Sequence, residues 1–336
     1  MLIIIKKEIN ENELQPLLNE VKTHDLKYAY LNGEEYDILR LEGNLTKVDE
    51  KKISAFDFVL QVIKISPSYQ KVSNKDEQSF INVNGIKIGR NESIVVMAGP
   101  CSIENYDQLK RIGTQVKHFG AAFLRAGAYK PRTSPYSFQG LKSEGISILK
   151  RVKEELKMPV VSEITSILAI DEFKDVDIIQ IGARNMQNYK LLKAVAKLNK
   201  PILLKRGFAS TVEEWLMSAE YIIKEGNNQV ILCERGVRSF EPLTRFSLDF
   251  SVIPLIKKLS NLPIIVDPSH ASGHFELVES LSLAVIAAGA DGLIIEVHDK
   301  PFEALSDGIQ SIKPDRFASL MEKAKKVAHA IGRDMF

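Results

Sequence analysis

Cysteine is almost missing from this chain, with only Cys101 and Cys233 in 336 residues. A disulfide scaffold is thereby excluded, and a reducing compartment is expected. Charge of one sign is missing too: 45 Lys and Arg against 43 Asp and Glu leave a formal net charge of +2. Such a balance gives no global field to draw the chain onto nucleic acid or an anionic membrane, so any basic cluster must act locally. No apolar run reaches spanning length, and the opening Met1-Leu2-Ile3-Ile4-Ile5 is too short for the apolar core of a signal peptide before it meets Lys6, Lys7 and Glu8. The expectation is a soluble, cytoplasmic protein with room for one large domain and a smaller one.

The first 65 residues read βαββαβ. Residues 2–5 form an apolar run, Leu14, Leu17, Leu18 and Val21 recur at helical spacing, and Tyr28-Ala29-Tyr30-Leu31 precedes the tight-turn pair Asn32-Gly33. Asp37 to Leu41 alternates like a strand, Val48 to Ala55 suits a short helix, and Phe58 to Ile65 reads as a last strand. That order describes a ferredoxin-like module, a fold that hosts many functions. Residues 66–79 are polar and lack periodicity, as a linker would, and a second domain is expected over residues 80–336.

The second domain opens on a hairpin signal, Asn84-Gly85 between alternating apolar residues. Val- and Ile-rich runs follow at Ile94–Ala98, Ala122–Arg125, Val160–Glu163, Ile178–Ile181, Ile202–Leu204, Val230–Leu232, Ile264–Val266 and Leu293–Glu296. Helical periodicity separates them, clearest in Val212, Trp215, Leu216, Ala219, Ile222 and Ile223, which places Trp215 in the core. Continuous apolar strands alternating with helices imply parallel strands covered on the outside, and eight units in about 250 residues point to a closed (β/α)₈ barrel. An open doubly wound sheet is the alternative, weakened because no Gly-rich dinucleotide fingerprint follows any run.

Reactive groups of such a barrel sit where strands end, and here every strand end is polar or ionisable. In order they are Gly99-Pro100-Cys101-Ser102, Arg125, Ser162-Glu163, Gly182-Ala183-Arg184, Lys205-Arg206, Cys233-Glu234-Arg235, Asp267-Pro268-Ser269-His270 and Glu296-Val297-His298. The second strand leads into Lys130-Pro131-Arg132-Thr133-Ser134-Pro135, where two prolines pin a backbone carrying an ammonium, a guanidinium and two hydroxyls. A solvated surface turn is the bland reading of that loop. Its place on the rim, among Arg125, Arg184, Lys205 and Arg235, favours a site for anionic ligands, phosphates included. Cys101, His270, Glu296 and Asp307 are metal-ligand types that suit an ion of intermediate softness such as Mn, Fe, Co or Zn. Their convergence is not given by spacing, His274 and His298 are rival ligands, and Cys101 has the alternative of being an inert buried thiol.

The blocks Ala98-Gly99-Pro100-Cys101-Ser102, Lys130 to Pro135, Gln180 to Arg184, Leu204 to Gly207, Cys233 to Gly236, Asp267 to His270 and Glu296-Val297-His298 resemble 3-deoxy-D-arabino-heptulosonate 7-phosphate (DAHP) synthase. The likeness runs from about residue 80 to the end and is strongest to the short-barrel subgroup, some members of which carry a ferredoxin-like regulatory domain. It implies condensation of phosphoenolpyruvate with erythrose 4-phosphate, at the entry to aromatic amino-acid biosynthesis. By motif, Cys101, His270, Glu296 and Asp307 would hold a divalent ion, Mn²⁺ foremost, with Fe²⁺, Co²⁺ and Zn²⁺ as alternatives. Arg125, Lys130, Arg184, Lys205 and Arg235 would hold phosphoenolpyruvate, Arg132 and Thr133 the phosphate of the aldose, and Glu163 the water that attacks C2. Lys130 or Lys205 would move protons.

Three other functions compete. The sister enzyme that uses arabinose 5-phosphate, 3-deoxy-D-manno-octulosonate 8-phosphate synthase, resembles this chain at the metal and phosphoenolpyruvate residues but has an Ala-Asn-Arg-Ser type of loop in place of Pro131-Arg132-Thr133. Lys205 could serve as the Schiff-base lysine of a metal-independent aldolase. A non-catalytic sugar-phosphate sensor would have no use for the candidate metal ligands. The likeness further implies an aromatic amino-acid effector, tyrosine or phenylalanine, at residues 1–65, and a homotetramer.

Overall fold

The computed structural model describes residues 1–336 except 8, 44, 46–47, 65–66, 75–79 and 133. The chain divides into two compact units, Met1–Gln70 and Lys71–Phe336.

In the first unit β1 (Leu2–Ile5), α1 (Glu11–Thr23), β2 (Lys27–Leu31), β3 (Asp37–Glu42), α2 (Glu50–Ser54) and β4 (Val59–Ile63) follow the ferredoxin-like order. The sheet runs β2-β3-β1-β4, with β1 antiparallel to both its neighbours. Sequence explains the local pieces. Asn10 and Glu13 form a reciprocal capping box that starts α1, and Leu14, Leu17, Leu18 and Val21 make its buried stripe. Ile3 and Ile5 of β1 and Leu39 and Leu41 of β3 meet that stripe in one core. Strand period two turns the other face of the sheet outward, as β3 shows, with Asp37, Leu39 and Leu41 buried and Arg40 and Glu42 exposed.

In the second unit β5 (Phe80–Val83) and β6 (Ile86–Gly89) form the expected hairpin. Asn84 and Gly85 both have positive φ, 52° and 89°, as a two-residue turn requires. Eight parallel strands then close on themselves: β7 (Val95–Gly99), β8 (Phe123–Arg125), β9 (Val160–Ile164), β10 (Ile178–Ile181), β11 (Ile202–Lys205), β12 (Val230–Glu234), β13 (Ile264–Val266) and β14 (Gly292–Glu296). The pairing of β14 with β7 completes the circle and excludes the open sheet. Ile81, Val83 and Ile88 of the hairpin share one apolar cluster with Met97, Phe123, Val161, Ile178, Leu203, Ile231 and Ile265, so the hairpin stoppers the N-terminal mouth.

The strands are apolar throughout because both faces are covered, inward by the barrel interior and outward by helices. On α6 (Val212–Lys224), Trp215 is fully buried and its Nε1–H donates to Leu204 O at 3.1 Å, tying helix to strand. The β9–β10 connection departs from the regular pattern: it is a 3₁₀ segment, Ile167–Asp175, that buries only Ala169 and Phe173. Among the described residues no helix is long and apolar enough to cross a membrane.

Candidate active site at the C-terminal rim of the barrel

The strand ends deliver their polar residues to one rim, and three of them, Cys101, His270 and Glu296, come together there with Asp307 from a later loop. Cys101 follows β7, where Gly99 has φ +153° and a Cβ would press on the Arg125 carbonyl oxygen and lie 2.9 Å from Leu124 Cδ1. Glycine is what lets the two strand ends approach there. Glu296 ends β14, Asp307 sits in the following loop at φ +50°, and His270 lies in a short helix, α8 (Pro268–Ser272). Cys101, Glu296 and Asp307 each offer a ligand atom within 4.8 Å of the others. Cys101 Sγ is 3.1 Å from Asp307 Oδ2, and His270 Nε2 is 3.5 Å from Glu296 Oε1. The rival histidines are elsewhere. His298 is buried with Nδ1 accepting the Lys300 N–H at 3.0 Å, and His274 stands exposed at the start of α9 (Phe275–Ala287).

The electrostatics of the cluster suit a divalent ion. Burial and the nearby Glu296 charge push the Cys101 thiol up to about 12, so the sulfur keeps a proton that it shares with Asp307, a proton an ion would displace. Burial also lowers His270, which leaves a neutral imidazole with a lone pair to offer. Burial alone would raise Glu296 and Asp307. Their neighbours outweigh it: a proton on His270, when present, and the Arg125 guanidinium hold Glu296 below its ordinary value, and a proton on His270, the hydrogen bond from the Cys101 thiol and the Lys130 ammonium do the same for Asp307. One thiol, one imidazole and two carboxylates fit a borderline ion, softer than calcium and harder than Cu(I).

Beside this cluster lie cations in excess. Arg125 donates to Glu296 Oε1 at 2.8 Å and to Pro100 O at 3.0 Å, but its Nε is buried with no partner among the described residues. Lys130 Nζ donates to Cys101 O at 3.1 Å and has no carboxylate partner among the described residues. Arg235, only 3% exposed, makes among the described residues just two hydrogen bonds, each long at 3.5 Å, to backbone carbonyls of Gly236 and His270. Its guanidinium lies 3.9 Å from the Phe246 ring centroid, Arg184 stands 5.3 Å from that of Phe208, and the two rings stack at 5.2 Å. Burial lowers Arg235 to about 10, because the guanidinium is stripped of water and the Asp267 carboxylate compensates only in part.

The remaining expected residues fall as follows. Lys205 pairs with Asp267, and burial notwithstanding, His270 and Lys205 hold that carboxyl well below its ordinary range. Glu163 accepts from Gln180 Nε2 at 3.0 Å, and a Cβ at Gly182 would lie 2.7 Å from Glu163 Cδ, so the glycine makes room for the carboxylate. Arg132 donates to Phe138 O at 3.0 Å, bonds Ser306, and approaches Asp307 at 3.9 Å. Thr133 lies outside the described residues. Reading by strand ends passed over Arg245 and Gln310: Gln310 Nε2 donates to Glu296 Oε2 at 2.7 Å, and Arg245 reaches Gln310 Oε1 at 2.8 Å and Asp307 Oδ1 at 3.4 Å. Arg245 comes from a loop that no motif marks, and Gln310 ends the 3₁₀ turn Gly308–Gln310 that Asp307 caps. Asp267 stood in plain sight beside His270 but had no role assigned.

A closed barrel whose C-terminal rim sets a thiol–imidazole–carboxylate cluster beside unneutralised cations defines an enzyme that works on anionic substrates. Comparison with known proteins makes the class specific. Residues 67–332 match the model of the DAHP synthetase I family, and residues 1–67 match the DAHP synthase ferredoxin-like domain. The chain is 43% identical over 338 residues to a phospho-2-dehydro-3-deoxyheptonate aldolase of Thermotoga maritima, covering 99% of each. The crystal structure of the Thermotoga maritima DAHP synthase superposes with a TM-score of 0.92 at 41% identity, over 100% of this chain and 99% of that one. A 2-dehydro-3-deoxyphosphooctonate aldolase of Geotalea uraniireducens is 34% identical over 74% of this chain and 97% of its own length. The chain belongs to the DAHP synthetase I family, as an enzyme of the DAHP synthase type with an N-terminal ferredoxin-like domain.

Proposed function

We propose that this enzyme condenses phosphoenolpyruvate with D-erythrose 4-phosphate and water to give 3-deoxy-D-arabino-heptulosonate 7-phosphate and inorganic phosphate, the first step of the shikimate pathway, with a divalent ion, Mn²⁺ foremost. The observation that carries it is the meeting, at one rim, of Cys101, Glu296 and Asp307 with the under-partnered Arg125, Lys130 and Arg235. Arg125, Lys130, Arg184, Lys205 and Arg235 hold the phosphate and carboxylate of phosphoenolpyruvate, and Arg132 with Thr133 holds the aldose phosphate. Cys101, His270, Glu296 and Asp307 would hold the ion, which would supply Lewis acidity toward the aldehyde oxygen. The residues around it position C3 of the enol against the aldehyde carbon, converting a two-body encounter into an oriented one. Bond formation at C3 leaves cationic character at C2. Glu163 orients water to C2, and Lys130 or Lys205 carries the protons that accompany cleavage of the C–O bond and release of phosphate.

Phosphate release from phosphoenolpyruvate with erythrose 4-phosphate, set against arabinose 5-phosphate and run with and without chelator, tests the reading. Preference for the five-carbon sugar, or full activity in chelator, overturns it. The octulosonate alternative draws on relatives that match only 74% of this chain; the ferredoxin-like unit and the Pro131-Arg132 loop argue for the heptulosonate product.

For regulation, residues 1–65 act as the binding module for tyrosine or phenylalanine, residues 66–79 link it to the catalytic barrel of residues 80–336, and the enzyme works as a cytoplasmic homotetramer. Removing the first 79 residues is expected to leave an active enzyme that ignores both amino acids; identical responses from full-length and shortened proteins refute the module's role.

A further inference from the structure

Asp267 is 1% exposed and serves two masters. Its Oδ1 accepts the His270 backbone N–H at 2.9 Å, and its Oδ2 lies 2.7 Å from His270 Nδ1. The same Oδ2 takes the ammonium of Lys205, which comes from β11, two strands away. Its own backbone N–H donates to Glu234 O at 2.8 Å, so the carboxylate is held from below as well as from the side. A single buried oxygen thus joins a candidate metal ligand to a candidate phosphoenolpyruvate lysine.

The chemistry of that junction is directional. A neutral imidazole carries one proton, on either nitrogen, and a carboxylate accepts but cannot donate. Asp267 at Nδ1 therefore selects the Nδ1–H tautomer and leaves the lone pair on Nε2, the nitrogen that faces Glu296. Lys205, with three donors, keeps the rest of the charge on Oδ2 compensated and is itself held to one place. An asparagine of the same size cannot keep all three contacts. With its carbonyl oxygen still accepting the His270 backbone N–H, its NH₂ takes the place of Oδ2, opposes the Lys205 ammonium and offers a proton to His270 Nδ1; turned the other way, the NH₂ opposes the backbone N–H.

We propose that Asp267 is a positioning residue that couples the two halves of the site: it sets the tautomer and aim of His270 for a divalent ion, and through the same oxygen it sets Lys205 for phosphoenolpyruvate. The proposal rests on the reading of Cys101, His270, Glu296 and Asp307 as a metal site, and not on the identity of the sugar.

The test uses the full chain freed of metal, wild type and Asp267→Asn, with three measurements: Mn²⁺ binding followed by the EPR signal of the free ion, phosphoenolpyruvate binding in the metal-free protein, and ¹⁵N NMR of the histidine rings. Thermal unfolding is run alongside to compare folded proteins only. In wild type, His270 is expected as the Nδ1–H tautomer. In the variant, Mn²⁺ affinity falls about 10- to 100-fold, phosphoenolpyruvate affinity falls in the absence of any metal, and the ring moves toward Nε2–H. A folded variant that binds Mn²⁺ within twofold of wild type overturns the proposal. So does an Nε2–H tautomer in the wild-type protein, a result that needs no variant to fold. Failure of the wild-type protein to take up one Mn²⁺ per chain overturns instead the metal site on which the proposed function depends, and the ring tautomer still judges Asp267.

Discussion

Replacing Gly182 by alanine separates the chemistry of Glu163 from the stability of the barrel. The backbone there tolerates alanine, since Gly182 has φ −68° and ψ 159°. The obstacle is the carboxylate. An added Cβ would lie 2.7 Å from Glu163 Cδ and closer still to Oε1, against an ordinary carbon–carbon separation of about 3.5–4.0 Å. Glu163 is the movable partner, so it must swing aside by roughly 1 Å, enough to disturb its 3.0 Å bond from Gln180 Nε2. Losing a hydrogen bond to a charged group costs about 1.5–3 kcal/mol, partly offset by the ~0.4–1 kcal/mol that a compatible Gly→Ala change gains. The fold is therefore expected to survive. A displacement of 1 Å at the group proposed to orient water is a different matter, worth about 100-fold in rate. Steady-state phosphate release should show kcat lowered by about two orders of magnitude with KM for phosphoenolpyruvate little changed, and calorimetry a Tm lowered by only a few degrees. Unchanged kcat in the folded variant would refute the place given to Glu163; a large rise in KM alone would show that Glu163 holds substrate and does not orient water.

Arg235→Lys keeps a charge but loses the planar face set against Phe246 at 3.9 Å. KM for phosphoenolpyruvate is expected to rise roughly 5- to 30-fold, the equivalent of about 1–2 kcal/mol, with Tm unchanged; isothermal titration with phosphoenolpyruvate checks it. Trp215→Phe removes the Nε1–H bond to the Leu204 carbonyl at 3.1 Å and part of a fully buried ring, and urea denaturation should show a loss of about 1–3 kcal/mol at unaltered m-value. Although the ring is exposed, loss of water at the phenol oxygen, and then its 2.7 Å hydrogen bond to the Asp37 carboxylate, push the Tyr30 phenol up to about 12 from 10.0. Because the folded value is raised, its contribution is intact below pH 10 and is lost as pH climbs toward 12. Tyr30→Phe should therefore flatten the fall of stability across that window in denaturant titrations; equal slopes would show that the pair with Asp37 contributes nothing.

Much of the barrel was open to reading from the chain, and the reason is physical. Parallel strands covered on both faces must be apolar throughout, so β7 to β14 stand out as Val- and Ile-rich runs, and the polar residue that ends each run marks the rim. Asn84-Gly85 announced its turn because few residues accept positive φ twice in succession. The capping box at Asn10 and the buried stripe of α1 were equally local. The 3₁₀ segment after β9 was not marked, since it buries too little to impose a period.

What the sequence by itself determined is what depends on neighbours along the chain: the order of strands and helices, the turn of the hairpin, and the kinds of group each strand end carries. The tertiary structure alone decided which of those groups meet. Cys101 and Asp307 are 206 residues apart yet 3.1 Å apart in space. Arg245 joins them from a loop and Gln310 from a short 3₁₀ turn, neither marked by any periodicity, and Asp267 gathers Lys205 and His270 onto one oxygen. Closure of the sheet into a circle brings its first and last strands side by side, and that distance is a property of the whole barrel that no local stretch of sequence carries.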